Sequence, residues 1–202
     1  MPCAVSDMTK IKICGLTREC DIDCVNELKP DFIGFVFAKS RRQVTDVQAA
    51  ALKRRLSPDI KAVGVFVMED NERIISLVKS GVIDIIQLHG GESEETVRLL
   101  KKECGVPVIR AVSVGNENIA QSEADYLLLD NGAGGTGKTF DWSLVNNIDR
   151  PFFLAGGINI DNVEQGIERF APFAVDISGG VETDGLKDPL KIAEIIRRIR
   201  NE

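Results

Sequence analysis

Residues that build metal centres and disulfide frameworks are scarce in this 202-residue sequence. It contains five cysteines and a single histidine, and the spacing of Cys14, Cys20 and Cys24 matches no zinc ribbon or zinc finger. A sparse, odd-numbered set of cysteines without a secretory signal is typical of free thiols. We therefore expect neither a metal site nor a disulfide framework.

Long apolar segments and dense clusters of basic residues are also missing. No apolar run approaches the roughly 20 residues needed to cross a bilayer, and residues 1–9 lack the pattern of a signal peptide. Lysine and arginine are outnumbered by aspartate and glutamate, 25 to 31, and only Arg197–Arg200 is densely basic. We interpret that stretch as the solvated end of a last helix, where cations suit the helix dipole. These absences predict a cytoplasmic protein with no membrane and no nucleic-acid partner.

The remaining composition is that of an ordinary globular protein. Hydrophobic residues make up 44% of the chain and charged residues 28%, a balance that argues against disorder. A domain of this size buries roughly 70–75% of the surface of its unfolded chain, so it needs no crosslinks to fold. Because no linker rich in proline, glycine or serine divides the chain, we predict one domain.

Short β-branched or aromatic runs recur eight times along the chain. Strands of this kind, separated by helix-like segments, predict a parallel sheet covered by helices. Eight units of about 25 residues match a small (β/α)8 TIM barrel. An open doubly wound sheet is the alternative, although it more often has five or six units. The predicted strands are Ile11–Cys14, Phe32–Phe37, Ala62–Val67, Ile83–Leu88, Val106–Val112, Tyr126–Asp130, Phe152–Ala155 and Phe173–Ile177.

Helix-like segments follow each of these runs. Thr17 is a plausible N-cap of the first helix, and Gly81 and Gly105 stand where the third and fourth helices are expected to end. The predicted helices are Thr17–Leu28, Val44–Leu56, Asn71–Lys79, Ser93–Cys104, Asn116–Glu123, Trp142–Asn147, Asp161–Arg169 and Pro189–Arg200.

Two glycine pairs follow the last two predicted strands. Gly156 and Gly157 come after the seventh strand, and Gly179 and Gly180 come after the eighth. Glycine lets backbone N–H groups approach an anion closely, and TIM barrels often bind phosphate at the loops after strands 7 and 8. One such pair alone would more simply make a tight turn. Two pairs in these positions favour a phosphate site.

A thiol and a carboxyl group are the candidate proton-transfer groups. Cys14 ends the first strand, and Lys12 lies two residues earlier, so both side chains should point into the barrel. A nearby ammonium favours the thiolate, although a buried cysteine is more often inert. Asp130 follows an apolar strand, which should raise its pKa, although it could also simply begin a loop. A thiolate base facing a protonated acid suits an isomerisation.

Polar residues at other strand ends complete the expected rim. Arg41 and Arg42 follow the second strand, and either guanidinium turned inward could bind a substrate carboxylate through two hydrogen bonds. Gln87 and His89 end the fourth strand. A single histidine in this position is more often a hydrogen-bonded structural residue or a wall of the pocket than a catalyst.

The order of short motifs along the chain resembles phosphoribosylanthranilate isomerase of tryptophan biosynthesis. The resemblance runs from about residue 10 to residue 190. Two segments are specific in combination, the opening Lys12-Ile13-Cys14-Gly15 and the later Thr136-Gly137-Lys138-Thr139-Phe140-Asp141-Trp142. The other matching segments are Gly34–Phe37, Ser40–Arg42, Val63–Phe66, Gln87–Gly90, Leu128–Asp130, Ala155–Ile158 and Asp176–Glu182.

This resemblance implies a cofactor-free Amadori rearrangement of N-(5-phosphoribosyl)anthranilate. It implies that Asp130 is the general acid that opens the ribose ring and that Cys14 is the general base that removes the C2 proton. It further implies that Arg42 holds the anthranilate carboxylate. The remaining implied contacts are Gly156, Gly157, Ser178, Gly179 and Gly180 for the phosphate, and Gln87 and His89 as walls of the pocket.

Three departures from the family pattern and several alternatives stay open. Residues 1–9 precede the usual start of the family, so the resemblance implies an N-terminal extension over residues 1–9 before the barrel domain over residues 10–202. The segment before Ser40 is one residue short, so Arg41 competes with Arg42 for the carboxylate, and Gly179 replaces a serine of the usual Ser-Ser-Gly. A related sugar-phosphate isomerase or a Schiff-base aldolase using Lys12 or Lys138 is one alternative. A phosphate-ligand sensor without catalysis is another, and the chain could be a monomer or a homodimer.

Overall fold

Eight parallel strands close into a barrel in the order in which they occur along the chain. The computed structural model describes residues 8–113, 122–130 and 148–201. The predicted TIM barrel is therefore confirmed, and the open sheet is excluded. The strands are β1 Lys10–Cys14, β2 Phe32–Val36, β3 Lys61–Phe66, β4 Ile85–Leu88, β5 Val108–Ser113, β6 Tyr126–Asp130, β7 Phe152–Leu154 and β8 Ala174–Ile177.

Six α-helices accompany the strands in the described residues, and a short antiparallel ribbon follows β8. The helices are α1 Glu19–Leu28, α2 Asp46–Arg55, α3 Asn71–Lys79, α4 Glu94–Cys104, α5 Val163–Phe170 and α6 Pro189–Arg200. The ribbon pairs β9 Glu182–Thr183 with β10 Leu186–Lys187. The predicted helix at 142–147 and most of that at 116–123 lie outside the described residues. Residues 1–7 do too, so the N-terminal extension stays a prediction.

Side-chain hydrogen bonds cap the starts of α2, α3, α4 and α6, and one predicted cap is corrected. Helix α1 begins at Glu19 rather than after Thr17, because the Asp21 carboxylate accepts hydrogen bonds from the backbone N–H groups of Thr17 (3.1 Å) and Arg18 (3.0 Å). Thr17 is therefore not the N-cap. By contrast, Ser93 caps α4 through the backbone N–H of Thr96.

Aspartates at the starts of strands bind the backbone of neighbouring strands. Oδ2 of Asp31 accepts a hydrogen bond from the backbone N–H of Ile11 at 2.9 Å. In the same way, Asp84 binds the backbone N–H of Ala62 at 2.7 Å, and Asp125 binds that of Val108 at 2.8 Å. Each bond joins the start of one strand to the residues just before the next strand. A repeated carboxylate contact therefore satisfies donors that the strand ladder leaves unpaired.

The apolar core has two parts, one on each face of the barrel wall. In β6, Leu127 and Leu129 pack with residues of the helices, whereas Leu128 belongs to the smaller cluster that fills the barrel. Inside, the Phe153 ring lies 5.5 Å from the ring of Phe32 and 5.7 Å from that of Phe173, centroid to centroid. The amino-terminal end of the barrel is therefore closed by aromatic packing.

Truncation of the central ring should cost much of the stability. We expect Phe153→Ala to lower the free energy of unfolding by about 3–5 kcal/mol, because a fully buried ring is replaced by a cavity. Leu190→Ala, at a position that is 82% exposed, is the control and should change it by less than about 0.5 kcal/mol. Urea denaturation followed by circular dichroism measures both, and equal shifts would contradict the packing described.

None of the helices in the described ranges is long and apolar enough to cross a membrane. The same ranges contain no cluster of histidine, cysteine and acidic residues that could hold a metal ion. Four cysteines lie in these ranges, and all four are free thiols.

Candidate active site

A cavity of about 640 Å³ opens at the carboxyl ends of the barrel strands. Parallel strands that close into a barrel bring these ends to one rim, where barrel enzymes place their chemistry. All ten residues predicted from the sequence to act in the site line this cavity. They are Cys14, Arg42, Gln87, His89, Asp130, Gly156, Gly157, Ser178, Gly179 and Gly180.

An ion pair between the fully buried Lys12 and the partly buried Asp176 lies at the base of the cavity next to Cys14. Nζ of Lys12 donates a hydrogen bond to Oδ1 of Asp176 at 3.0 Å across the junction of β1 and β8. Burial works to lower the pKa of Lys12, but the carboxylate of Asp176 and the neighbouring Cys14 outweigh it and raise that pKa. Lys12 is therefore an ammonium throughout the physiological pH range. Asp176 is a site residue that the sequence reasoning missed.

The Cys14 side chain is buried and protonated at rest. Burial raises the pKa of the thiol above its ordinary value, and the charge of Asp176 raises it further. The ammonium groups of Lys12 and Lys187 lower it without cancelling the effect of burial. Lys12 favours the thiolate, as the spacing predicts, but desolvation of the thiolate outweighs its attraction to the ammonium, so the net pKa is raised.

The raised pKa predicts how Cys14 should react with an alkylating reagent. Only the thiolate is nucleophilic, so alkylation of Cys14 by iodoacetamide should become about tenfold faster with each pH unit between about pH 7 and 9. Mass spectrometry of the Cys14 peptide at timed intervals measures this rate. A rate that is constant over that range would mean that the thiolate already dominates at neutral pH.

Three polar side chains form a chain of hydrogen bonds that ends at Asp130. Nε2 of Gln87 lies 3.0 Å from Nδ1 of His89, and Nε2 of His89 lies 3.1 Å from Oδ2 of Asp130. When the Gln87 amide donates to Nδ1, the proton of a neutral His89 ring is on Nε2 and is directed at Asp130. The contact between His89 and Asp130 joins β4 to β6, and sequence spacing gave no sign of it. The raised pKa expected for Asp130 stays a prediction.

Arg42 is held over the cavity by a glutamate from β9, the first strand of the ribbon that follows β8. Oε1 of Glu182 accepts a hydrogen bond from Nε of Arg42 at 2.6 Å, and Oε2 accepts one from Nη2 at 2.9 Å. Burial works to raise the pKa of Glu182, but Arg42 and Lys187 outweigh it and lower that pKa to about 2. Arg41 also contacts Glu182, yet its side chain is 58% exposed against 14% for Arg42. Glu182 and Lys187 were not singled out from the sequence.

The two glycine pairs lie in adjacent loops. Gly156 and Gly157 have φ angles of 77° and 78°, a left-handed conformation that favours glycine. A Cβ on Gly180 would overlap the backbone carbonyl oxygen of Ile158, so the loops after β7 and β8 touch. Oγ of Ser178 donates to the carbonyl oxygen of Cys14 at 3.0 Å, which fixes the second loop to the end of β1.

The close approach of the two loops predicts different effects of alanine at two adjacent glycines. Gly180→Ala should lower the free energy of unfolding by roughly 1–3 kcal/mol, because its Cβ would push against backbone rather than a flexible side chain. At Gly179, a Cβ would meet only Nη2 of Arg42 at 3.6 Å, so Gly179→Ala should cost much less. Thermal unfolding of the two variants measures the difference, and the reverse order would be inconsistent with this loop packing.

The closed parallel barrel and the polar cavity at its carboxyl-terminal rim define a (β/α)8-barrel enzyme. A family model described as N-(5'phosphoribosyl)anthranilate (PRA) isomerase matches residues 11–198. The chain therefore belongs to this family. As a member it is an isomerase, and the step it catalyses is part of tryptophan biosynthesis.

Relatives and solved structures agree over nearly the whole chain. An N-(5'-phosphoribosyl)anthranilate isomerase from Clostridium acetobutylicum is 47% identical, with 96% of this chain and 98% of the relative covered. The crystal structure of phosphoribosyl anthranilate isomerase from Thermotoga maritima is 37% identical, with a TM-score of 0.87 over 96% of this chain and 100% of that one. Another crystal structure of phosphoribosyl anthranilate isomerase contains reduced 1-(o-carboxyphenylamino)-1-deoxyribulose 5-phosphate. It is 34% identical, with a TM-score of 0.82 over 96% of this chain and 100% of that one.

Proposed function

We propose that the rim cavity converts N-(5-phosphoribosyl)anthranilate into 1-(2-carboxyphenylamino)-1-deoxy-D-ribulose 5-phosphate, with Asp130 as general acid and Cys14 as general base. The observation that carries this proposal is that both groups line one cavity together with both glycine pairs. The analogue bound to the related isomerase has the same carboxyphenylamino and phosphate groups as this product. We place the reaction in the cytoplasm, in keeping with a biosynthetic enzyme.

The first step is opening of the ribose ring. Asp130 donates its proton to the ring oxygen while the nitrogen lone pair forms a C1=N bond and the C1–O bond breaks. The products are an iminium ion and an Asp130 carboxylate. A hydrogen bond from Nε2–H of His89 would stabilise that carboxylate as it forms. His89 thus has a supporting role in the acid step, beyond that of a pocket wall.

The second step is removal of the C2 proton. The thiolate of Cys14 takes this proton, and the C–H electrons form a C1=C2 double bond as the iminium nitrogen becomes neutral. The enaminol then becomes the ketone when its C2 hydroxyl loses a proton to water and C1 takes one from water. Cys14 loses its proton to solvent and Asp130 regains one from it before the next turnover. A raised pKa means that little thiolate is present at rest, but the thiolate that forms is a stronger base. The ammonium of Lys12 lies beside it and favours its formation.

Arg42 and the glycine pairs are the proposed anchors at the two ends of the substrate. Arg42 is favoured over Arg41 for the anthranilate carboxylate, because the side chain of Arg42 is mostly buried at the cavity whereas that of Arg41 is mostly exposed. The loops that carry Gly156, Gly157, Ser178, Gly179 and Gly180 would bind the phosphate through backbone N–H groups. Holding both ends orients C1 and C2 between the acid and the base.

The charge state of Lys12 argues against the Schiff-base aldolase. A lysine that forms a Schiff base needs a lowered pKa, whereas the pKa of Lys12 is raised by its pairing with Asp176 and Cys14. Lys138, the second candidate, lies outside the described residues. The sensor without catalysis is not proposed, because the chain belongs to a family of isomerases.

Loss of either proton-transfer group should reduce turnover while binding persists. We expect Cys14→Ala and Asp130→Asn each to lower kcat by roughly 10²–10⁴-fold, the usual contribution of a general acid or base. The assay follows the loss of substrate fluorescence. Cys20→Ala, which removes an exposed thiol on α1, is the matched control and should keep full activity.

Binding of the reduced product analogue separates the possible outcomes of this experiment. Each variant should still bind the analogue, because the anchors at both ends of the substrate are intact. Turnover at the wild-type rate by both variants would disprove the assigned roles. Binding of the analogue by the wild type without any turnover of substrate would disprove the isomerase function.

A further inference from the structure

Glu182 is a buried carboxylate at the rim of the cavity. The proposed reaction steps give it no role. Its side chain is only 5% exposed, yet four cationic hydrogen bonds converge on its two oxygens. Arg42 supplies two of them, Nη2 of Arg41 the third at 2.6 Å and Nζ of Lys187 the fourth at 2.7 Å. Both lone pairs of both oxygens are therefore in use, so Glu182 has no capacity to accept a proton or a substrate group.

The lysine in this cluster ties it to the loop proposed to bind phosphate. Lys187 lies opposite Glu182 in the ribbon of β9 and β10. Nζ of Lys187 also donates a hydrogen bond to the backbone carbonyl oxygen of Ser178 at 2.9 Å. The Lys187 side chain is almost fully buried. Ser178 in turn donates to the carbonyl of Cys14. The cluster thus links the end of β1 and the loop after β8 with the guanidinium of Arg42.

Glu182 holds one defined edge of the Arg42 guanidinium. It pairs with Nε and one terminal nitrogen, the side-on edge of the planar group. Nη1 of Arg42 makes no hydrogen bond to the part of the chain that the structure describes. The end-on edge, formed by the two terminal nitrogens, can therefore receive a second carboxylate through two hydrogen bonds. A Cβ on Gly15 would overlap the Arg42 side chain, so the aliphatic part of that side chain is also closely packed.

We propose that Glu182 is a positioning residue that aims the end-on edge of Arg42 at the carboxylate of the substrate and thereby determines selectivity for a carboxylated aromatic amine. The inference rests on the proposed function, because it needs Arg42 to bind that carboxylate. Lys187 shares the single negative charge of Glu182 with the two arginines and secures Glu182 to the loop after β8. In recognition of the substrate carboxylate Glu182 acts through Arg42 and does not touch the substrate.

Two analogues that differ only in the carboxyl group test this role. One is reduced 1-(o-carboxyphenylamino)-1-deoxyribulose 5-phosphate, and the other is the same compound with a plain phenyl ring. The wild type should prefer the carboxylated analogue, and Glu182→Gln should reduce that preference by roughly 10- to 100-fold, because the guanidinium is no longer held in place. Affinity for the phenyl analogue should stay within about twofold of the wild type, since a contact with the carboxylate is the only one lost. Calorimetric titration measures all four affinities.

The kinetic constants KM and kcat of Glu182→Gln should change for the same reason. The contact with the carboxylate is made in both the ground state and the transition state, so Glu182→Gln should raise KM more than it lowers kcat. In an Arg42→Ala background, Glu182→Gln should cause no further loss of preference, because the group that it positions is gone. Glu194→Gln removes the same charge from an exposed ion pair on α6 and serves as the matched control with unchanged kinetics.

A second variant covers the case in which Glu182→Gln does not fold. Glu182→Asp keeps the charge that neutralises Lys187 but is one methylene too short to hold the side-on edge of Arg42, so it should fold and still lose the preference. If the variants lose affinity for both analogues equally, or if neither variant folds, Glu182 has a structural role and the proposal is overturned. If the wild type neither turns over the substrate nor prefers the carboxylated analogue, the proposed function itself fails. If the wild type does both and Glu182→Gln retains the preference, only the positioning role fails.

Discussion

The pairing of β1 with β8 is the contact on which the rest of the molecule depends. It closes the barrel in a register that places Lys12 opposite Asp176 and Ile13 opposite Ile177. Residues more than 160 positions apart in the chain thereby become neighbours, among them Cys14 and Ser178. Because all eight strands run in the same direction, closure also brings every carboxyl end to one rim. The cavity is a consequence of the same hydrogen bonds that stabilise the wall.

Charge at this rim is organised in buried pairs. Lys12 pairs with Asp176 beneath Cys14, and Glu182 pairs with Arg42 and Lys187 at the edge of the cavity. Such pairs are poor sources of net stability, since the cost of removing ions from water offsets much of their attraction. They do fix side-chain geometry, because each group would be left unpaired if it moved. Fixed cationic groups are suited to a substrate that carries both a phosphate and a carboxylate.

Much of this architecture could be predicted from the sequence because strand runs buried on both faces are distinctive. The run ending at Cys14 and the run Tyr126–Asp130 have the carboxyl ends that were predicted. Predicted strand ends are wrong where local side-chain contacts decide where a strand begins. Strand β4 begins at Ile85 rather than Ile83, since Asp84 is occupied with the backbone of Ala62 and the side chain of Lys53. The rim residues were found because strand ends are easy to locate and always share one side of a barrel.

Properties that depend on pairing across long distances could not be predicted. No pattern in the sequence connects Arg42 with Glu182, which lie 140 positions apart, or His89 with Asp130. The spacing shows that Lys12 lies near Cys14, but the net rise in the pKa of Cys14 could not be predicted, because the sequence does not show how deeply the thiol is buried. Asp176 was overlooked for the same reason, since its role depends on the register at which the barrel closes.

The protonated state of Cys14 bears on the durability of the enzyme. Peroxides attack the thiolate of a cysteine far more readily than its thiol, and the sulfenic acid that results can no longer act as a base. Because burial keeps Cys14 as a thiol between turnovers, its sulfur is chemically protected from oxidants. Oxidative damage should therefore reach an exposed thiol such as Cys20 first.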